Sequence, residues 1–199
     1  MSAIKRACCD HCHFLVEQCV CQWIPELAAN LEILILQDSK EAKHAKNTVP
    51  LLCLGLPKVR CVSTQDQVAL QKVLSQLDTS EWYLIFPCDD AIAIESVANS
   101  PVSRIKGIIL LDATWRKAKK MYWIESLLHA FTAVRFTQPP AGKYVIRKSP
   151  NSESLSTLEA CAYAIEQISG ENMQPLREFM IKAQEWQWRL QPSSHRHYN

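Results

Sequence analysis

Glycine is scarce in this chain: four residues in 199, at Gly55, Gly107, Gly142 and Gly170. No G-x-G-x-x-G and no G-x-x-x-x-G-K can be assembled from them, which excludes a standard Rossmann fingerprint and a P-loop. Long apolar runs are missing as well; none approaches the roughly 20 residues of a membrane span. The N-terminal MSAIKRACCDHC lacks the apolar stretch of a secretory signal. The expectation is a cytoplasmic protein with no membrane partner and no implied protein partner. Internal repeats and low-complexity segments are also lacking. What remains is an ordinary globular composition, 48% hydrophobic and 21% charged, on a length that suits one compact domain and a small appendage.

Net charge is nearly absent, at +2, but it is unevenly spread. Residues 113–152 hold eight cations (Arg116, Lys117, Lys119, Lys120, Arg135, Lys143, Arg147, Lys148) against Glu125 alone, a local +7. Residues 1–112 carry −3 and residues 153–199 carry −2. A block of this kind is either a solvated basic face or a surface for phosphates.

Cysteine is plentiful, with five of nine in the first 21 residues. In CCDHCHFLVEQCVC, Cys9 and Cys12 form a C-x2-C, and Cys19 and Cys21 a C-x-C. Four thiolates suit a tetrahedral Zn²⁺ with no open position, hence a structural site. Cys8 is an alternative to Cys9, with His11 and His13 in reserve. A redox C-x-x-C normally follows a strand, and none precedes Cys9. Cys53, Cys61, Cys88 and Cys161 lie in apolar segments and read as core residues. The division expected is a zinc knuckle over residues 1–30 and a larger main domain over 31–199.

Apolar patterning predicts strands at Ile33–Gln37, Val59–Val62, Trp82–Phe86, Ile105–Leu111 and Ala133–Phe136. Helices are predicted at Lys40–Asn47, Gln65–Leu77, Thr114–His129, from Ser156 to about Ile168, and at Pro175–Trp188. In Thr114–His129, Trp115, Ala118, Met121, Ile124 and Leu128 form one core-facing stripe, with Arg116, Lys117 and Lys120 turned away. Ser156 with Glu159 has the spacing of a capping box. Alternating strands and helices imply an α/β fold with a mainly parallel sheet flanked by helices. In such sheets ligands gather beyond the carboxyl ends of strands. Two strand ends carry polar punctuation, Phe86-Pro87-Cys88-Asp89-Asp90 and Leu111-Asp112-Ala113-Thr114-Trp115. Asp112 reads either as a helix N-cap or as a base at a strand end, and the two are compatible.

These residues resemble the DTW-domain family. LLDATWRKAKKM is similar to its D-x-T-W signature, and LQDSKEAKHAKNT to its Q-x-x-x-E…N-T segment. IFPCDDA is similar to its strand-end F/Y-P loop, and YVIRKSPNSESLSTLEA to its Y-x-x-R-K…L-S-T-x-E-A segment. Arg6 and the knuckle resemble its R-x-x-C-x-x-C…C-x-C. Five motifs in one order cover most of residues 6–161. The sequence departs at Ala113, where the family often has Gly, and at Asp38-Ser39, where His-Pro is common. No role is assigned to the Gln37–Glu41 loop.

The resemblance implies a SPOUT-like fold with a knotted cofactor pocket. It implies a tRNA-uridine aminocarboxypropyltransferase, which moves the 3-amino-3-carboxypropyl group of S-adenosylmethionine to N3 of a uridine in the tRNA variable loop. The by-product is 5′-methylthioadenosine. Asp112, with its pKa raised by burial, is then the base for the N3 proton. Phe86, Pro87, Asp89, Thr114, Trp115, Leu155, Ser156 and Thr157 would line the donor site, the last three at a helix start that suits the donor carboxylate. Arg116, Lys117, Lys120, Arg147 and Lys148 would hold tRNA phosphates. The rival readings are a non-catalytic zinc-containing RNA-binding module, a SPOUT-like RNA methyltransferase and, more distantly, a thiol oxidoreductase.

Overall fold

The computed structural model describes residues 6–97, 105–146, 155–190 and 192. Among the described residues the strands are β1 (Glu32–Gln37), β2 (Val59–Ser63), β3 (Trp82–Ile85), β4 (Ile92–Ala93), β5 (Gly107–Asp112) and β6 (Thr132–Arg135). The α-helices among them are α1 (Ser39–Ala42), α2 (Val49–Gly55), α3 (Gln67–Ser75), α4 (Ile94–Val97), α5 (Trp115–Ile124), α6 (Thr157–Ser169) and α7 (Gln174–Gln187). The strands form one sheet in the order β2-β1-β5-β3-β6-β4, and every pairing is parallel.

A parallel sheet needs cover on both faces, so its central strands read as unbroken apolar runs. β1 (EILILQ) and β5 (GIILLD) are of this kind. Side chains alternate across the sheet with a period of two. Ile33, Ile35, Ile108, Leu110 and Val134 pack with α2, α4, α6 and α7 on one face. Leu34, Leu36, Leu84 and Ile109 pack with α3, α5 and the turn after α5 on the other. No helix among the described residues is long and apolar enough to cross a membrane.

The strand expectations hold to within two residues, and the capping box at the start of α6 is formed as predicted. α6 stops at Gly170, whose φ of 71° is the left-handed conformation that a helix C-terminus commonly uses. Three elements escape the sequence reading: α2, β4 and α4. Seven residues (VPLLCLG) show too little period to separate a buried helix from a strand, and β4 has only two residues. The helix expected over Lys40–Asn47 is a single turn, α1.

The helix expected over Thr114–His129 also differs. It leaves α-geometry at Glu125, and Ser126–Ala130 is a 3₁₀ turn. Its expected stripe is only partly buried: Ala118 and Leu128 are inside, but Trp115 and Ile124 are 48% and 67% exposed. The break tightens the turn, so Leu128 reaches the core from the 3₁₀ segment while Ile124 points outward.

Gly107 opens β5 where the sheet leaves no room for a side chain. A Cβ there would lie 2.6 Å from the Trp82 ring and 2.7 Å from the Glu32 carbonyl oxygen. That carbonyl belongs to the β1–β5 ladder and cannot step aside. Gly107→Ala should therefore destabilise the protein by about 1–3 kcal/mol, read as a lower denaturant midpoint with an unchanged slope. An unchanged midpoint would show that the ladder yields there.

Candidate active site

β1 is followed by β2 on its outer side, whereas β5 is followed by β6 on the opposite side. Adjacent strands whose connections leave in opposite directions open a crevice at their carboxyl ends. Asp112 ends β5 at this point, directly opposite Gln37 at the end of β1. Its side chain is 8% exposed. Gln37 Nε2 donates to Asp112 Oδ2 at 2.8 Å, and the Thr157 hydroxyl donates to Oδ1 at 2.5 Å. The carboxylate is thus fixed by a strand on one side and by the start of α6 on the other. It is not the cap of α5: Thr114 precedes the first helical residue, and its side chain makes no capping bond.

Gln37 is itself oriented. The Cys61 thiol lies 3.4 Å from Gln37 Oε1 and donates to it, which turns the amide NH₂ toward Asp112. Cys61 as a residue faces solvent, but its thiol rests against the sheet end. Local desolvation, Cys53 and Asp112 push that thiol up to about 12, so it remains a donor at neutral pH. One residue further on, the Asp38 amide donates to the Asp112 carbonyl at 2.9 Å. Asp38 also caps α1 and pairs with Lys117. The Asp38-Ser39 departure therefore leaves a tied loop. Ala113 is also accommodated: among the described non-glycine residues only His13 has positive φ.

Beside Asp112 opens a cleft of about 460 Å³. The ends of β3 (Ile85, with Phe86 and Pro87 beyond it), β5 (Leu110, Leu111, Ala113) and β6 (Val134, Arg135, Phe136) form its walls, and Leu155 and Thr157 close it at the start of α6. Trp115 stands at its edge. The size and the mixed apolar and polar lining suit a small organic ligand that carries polar groups. Of the expected lining residues, Phe86, Pro87, Trp115, Leu155 and Thr157 line this space. Thr114 and Ser156 flank it without facing it, and Asp89 is exposed outside the lining. The Ser156 hydroxyl is spent on the capping box with Glu159. The Leu158 amide donates to Thr48 Oγ1 and the Glu159 amide to Ser156 Oγ, so two N–H groups of this helix start are already taken.

Sequence reasoning missed two residues here. Gln37 carried a visible signal, a polar side chain ending an apolar strand, the same signal that singled out Asp112. Among the described residues lining the cleft Arg135 alone is charged, and its guanidinium donates to the Ala91 carbonyl. In sequence it was merely one of eight cations. Arg116 and Lys120 are exposed, whereas Lys117 is half-buried against Asp38. Arg147 and Lys148 lie outside the described residues.

The cysteine expectation can be tested on distances. Cys9–Cys21, Cys9–Cys19 and Cys12–Cys19 sulfurs are 3.6, 3.7 and 3.8 Å apart, and all four sulfurs lie within 4.8 Å of one another. A metal held tetrahedrally by thiolates at about 2.3 Å requires sulfur separations of about 3.8 Å. The donor set and its spacing therefore fit such an ion. Cys8 is exposed and directed at the Arg6 carbonyl, outside the cluster. Amides of Cys12 and His11 hold the Cys9 thiol down to about 6, whereas desolvation and the neighbouring thiols push Cys21 up to about 12, so the four sulfurs share charge unequally. Cys12 and Val20 belong to the same core cluster as α2, α6 and α7, and Trp23 meets Trp186 of α7 edge-on at 5.7 Å.

The cleft's rim is held by Glu95. Its carboxylate accepts from the Thr137 amide and hydroxyl, the Gln138 amide and the Tyr163 hydroxyl, at 2.7–3.0 Å. Burial alone would raise its pKa, but these bonds outweigh it and hold Glu95 at about 2, against an ordinary 4.5. A depressed folded-state pKa contributes stability above the unfolded value and loses it as pH falls toward the folded one. Glu95→Gln should therefore be less stable than the native chain at pH 6, with the gap shrinking between pH 4.5 and 2. Denaturant midpoints at pH 6 and pH 2.5 read this; a gap independent of pH would mean that the charge does not matter.

Residues 6–187 match the model of the DTW domain. A Drosophila melanogaster protein named tRNA-uridine aminocarboxypropyltransferase 2 is 29% identical over 188 residues, covering 89% of this chain and 72% of the fly protein. The Mus musculus protein of the same name is 31% identical over 180 residues, and the chain spans 59% of its length. An Arabidopsis thaliana protein named tRNA-uridine aminocarboxypropyltransferase A is 28% identical over 190 residues, covering 79% of this chain and 71% of the plant protein. No solved structure matches the chain. With the family's model spanning nearly all the described fold, the chain belongs to the DTW domain family.

Proposed function

We propose that this protein is a tRNA-uridine aminocarboxypropyltransferase, as its relatives are named. The observation that carries the reading is the buried Asp112, held at the switch point of the sheet next to a cleft of ligand size. The acceptor is N3 of a variable-loop uridine, and the donor is S-adenosylmethionine. When bound, the donor supplies an electrophilic Cγ next to a sulfonium that leaves as a neutral thioether.

The chain's residues have three tasks. Asp112 accepts the N3 proton as N3 bonds to the carbon, with its carboxylate aimed by the bonds from Gln37 and Thr157. Phe86, Pro87, Leu155 and the ends of β3, β5 and β6 wall a slot that excludes water and fixes the donor's orientation, which decides whether carbon or methyl meets N3. Arg135 offers the positive charge that the donor carboxylate needs, and Thr157 offers a hydroxyl. Asp89, Thr114 and Ser156 shape the surrounding turns. Arg116, Lys120, Arg147 and Lys148 would hold tRNA phosphates, with Lys117 bracing the site through Asp38.

The four cysteines would hold a structural Zn²⁺, making residues 1–30 a metal-stapled appendage on a catalytic domain over 31–199. The cleft's construction from segments after β3, β5 and β6 supports a SPOUT-like, knotted arrangement. A cytoplasmic location completes the reading.

The test is the small-molecule product made from S-adenosylmethionine and unmodified tRNA. Methylthioadenosine is expected, and Asp112→Ala should lower its rate about 10²–10⁴-fold. S-adenosylhomocysteine would mean a methyltransferase, and neither product would leave an RNA-binding module. For the knuckle, one equivalent of zinc per chain is expected, with both zinc content and thermal midpoint falling in Cys12→Ser. Zinc loss without any change in midpoint would remove the structural role.

A further inference from the structure

α5 presents an outer face on which rings and cations alternate. At 100° per residue, Trp115, Lys119, Trp123, Arg116, Lys120 and Ile124 follow one another around roughly half the helix. All six are exposed, Trp123 at 71% and Ile124 at 67%. No acid occurs between Trp115 and Ile124. Large apolar side chains left open on a helix mark a contact surface when they cluster rather than scatter. Here they are interleaved with positive charge, which does not suit an apolar protein partner or a second copy of the same basic face. It suits a strand that offers phosphates and bases in turn.

The ring at the centre of this face is fixed in place. Trp123 meets Tyr122 edge-on at 5.6 Å and His129 edge-on at 6.2 Å. His129 in turn contacts Tyr122 at 4.6 Å, and one of its ring nitrogens lies 2.8 Å from the Tyr122 carbonyl oxygen. Tyr122 stacks on Phe86 at 4.6 Å and 25°. Phe86 is a wall of the cleft. A row of rings thus runs from the cleft to an indole largely open to solvent. An indole held by its neighbours loses little rotamer freedom when a base stacks on it, which favours binding.

We propose that the outer face of α5 is a track for single-stranded RNA, with Trp123 stacking on an unpaired base beside the target uridine. Arg116, Lys119 and Lys120 hold the phosphates on either side. Trp115, at the cleft's edge, lies about 12 Å along the helix from Trp123, so the track ends where the uridine must enter. The proposal rests on the reading of the chain as a tRNA-modifying enzyme, and it assigns that enzyme's grip to one helix face.

The test measures the affinity of an unmodified tRNA transcript for the full chain, Trp123→Ala, Trp123→Phe and the Arg116→Ala/Lys120→Ala double variant, at several salt concentrations. Mass in solution and the nucleoside product are followed alongside. Trp123→Ala should bind roughly 5- to 30-fold more weakly with an unchanged salt slope, because stacking releases no counterions. Trp123→Phe should keep most of the affinity, which guards against a folding defect. The double variant should lower the salt slope by about 2. Native affinity in Trp123→Ala, while the native chain makes methylthioadenosine, overturns the track and leaves the enzyme reading intact. Weakened tRNA binding in Trp123→Ala, with no methylthioadenosine from the native chain, upholds the track and overturns the enzyme reading. A dimer that Trp123→Ala dissociates without changing tRNA affinity assigns the face to a second copy and overturns the proposal.

Discussion

A buried carboxylate has to be satisfied, and the bridge from Gln37 through Asp112 to Thr157 is where this structure meets that demand. The bridge joins three elements far apart in sequence: the end of β1, the end of β5 and the start of α6. It tolerates little error, because a one-residue slip of either strand would turn its partner to the opposite face. The β1–β5 register, the absence of a side chain at Gly107 and the Thr48 contact that seats α6 all serve this alignment. The cleft opens next to that junction and shares Thr157 with it.

Carboxylates also organise the rest of the site. Asp38 caps α1 and draws in Lys117. Glu95 gathers the Thr137-Gln138 rim. Glu159 completes the capping box and accepts the Lys143 amide at 2.5 Å. Glu166 ties Arg177 and the Met173 amide at the far end of α6. Each serves a loop or turn whose backbone donors would otherwise lack partners. In the N-terminal segment, four clustered sulfurs draw together a stretch with little core of its own.

Much of this architecture is legible in the chain. Unbroken apolar runs with polar ends mark β1 and β5, because a doubly covered parallel strand has no other way to look. The knuckle is legible because ligand spacing is local. The capping box at Ser156 is legible for the same reason. What escapes is what depends on distant partners. α2 is too short to declare its period. The loop from Gln37 departs from the family pattern at Asp38-Ser39 and so carries no role by sequence, although Gln37 is the residue that grips Asp112. Trp115 and Ile124 fit a core stripe by spacing alone, and only the break at Glu125 turns them outward. Arg135 is indistinguishable in sequence from its basic neighbours, because only the sheet carries it to the cleft.

The scarcity of glycine has a consequence for how this site can change over time. A phosphate-cradling loop recognises its ligand through backbone amides, which most substitutions leave in place. Here the cleft is walled by side chains at strand ends and in the segments that follow them, on a ladder that persists when a side chain is exchanged. The scaffold and the ligand's pose are therefore separable traits. Under the proposed function, a single replacement in the wall would tilt the donor and present a different carbon to the acceptor, with the fold untouched. Such a pocket would be open to drift in which group it delivers, while the carboxylate proposed as the base stays anchored by Gln37 and Thr157.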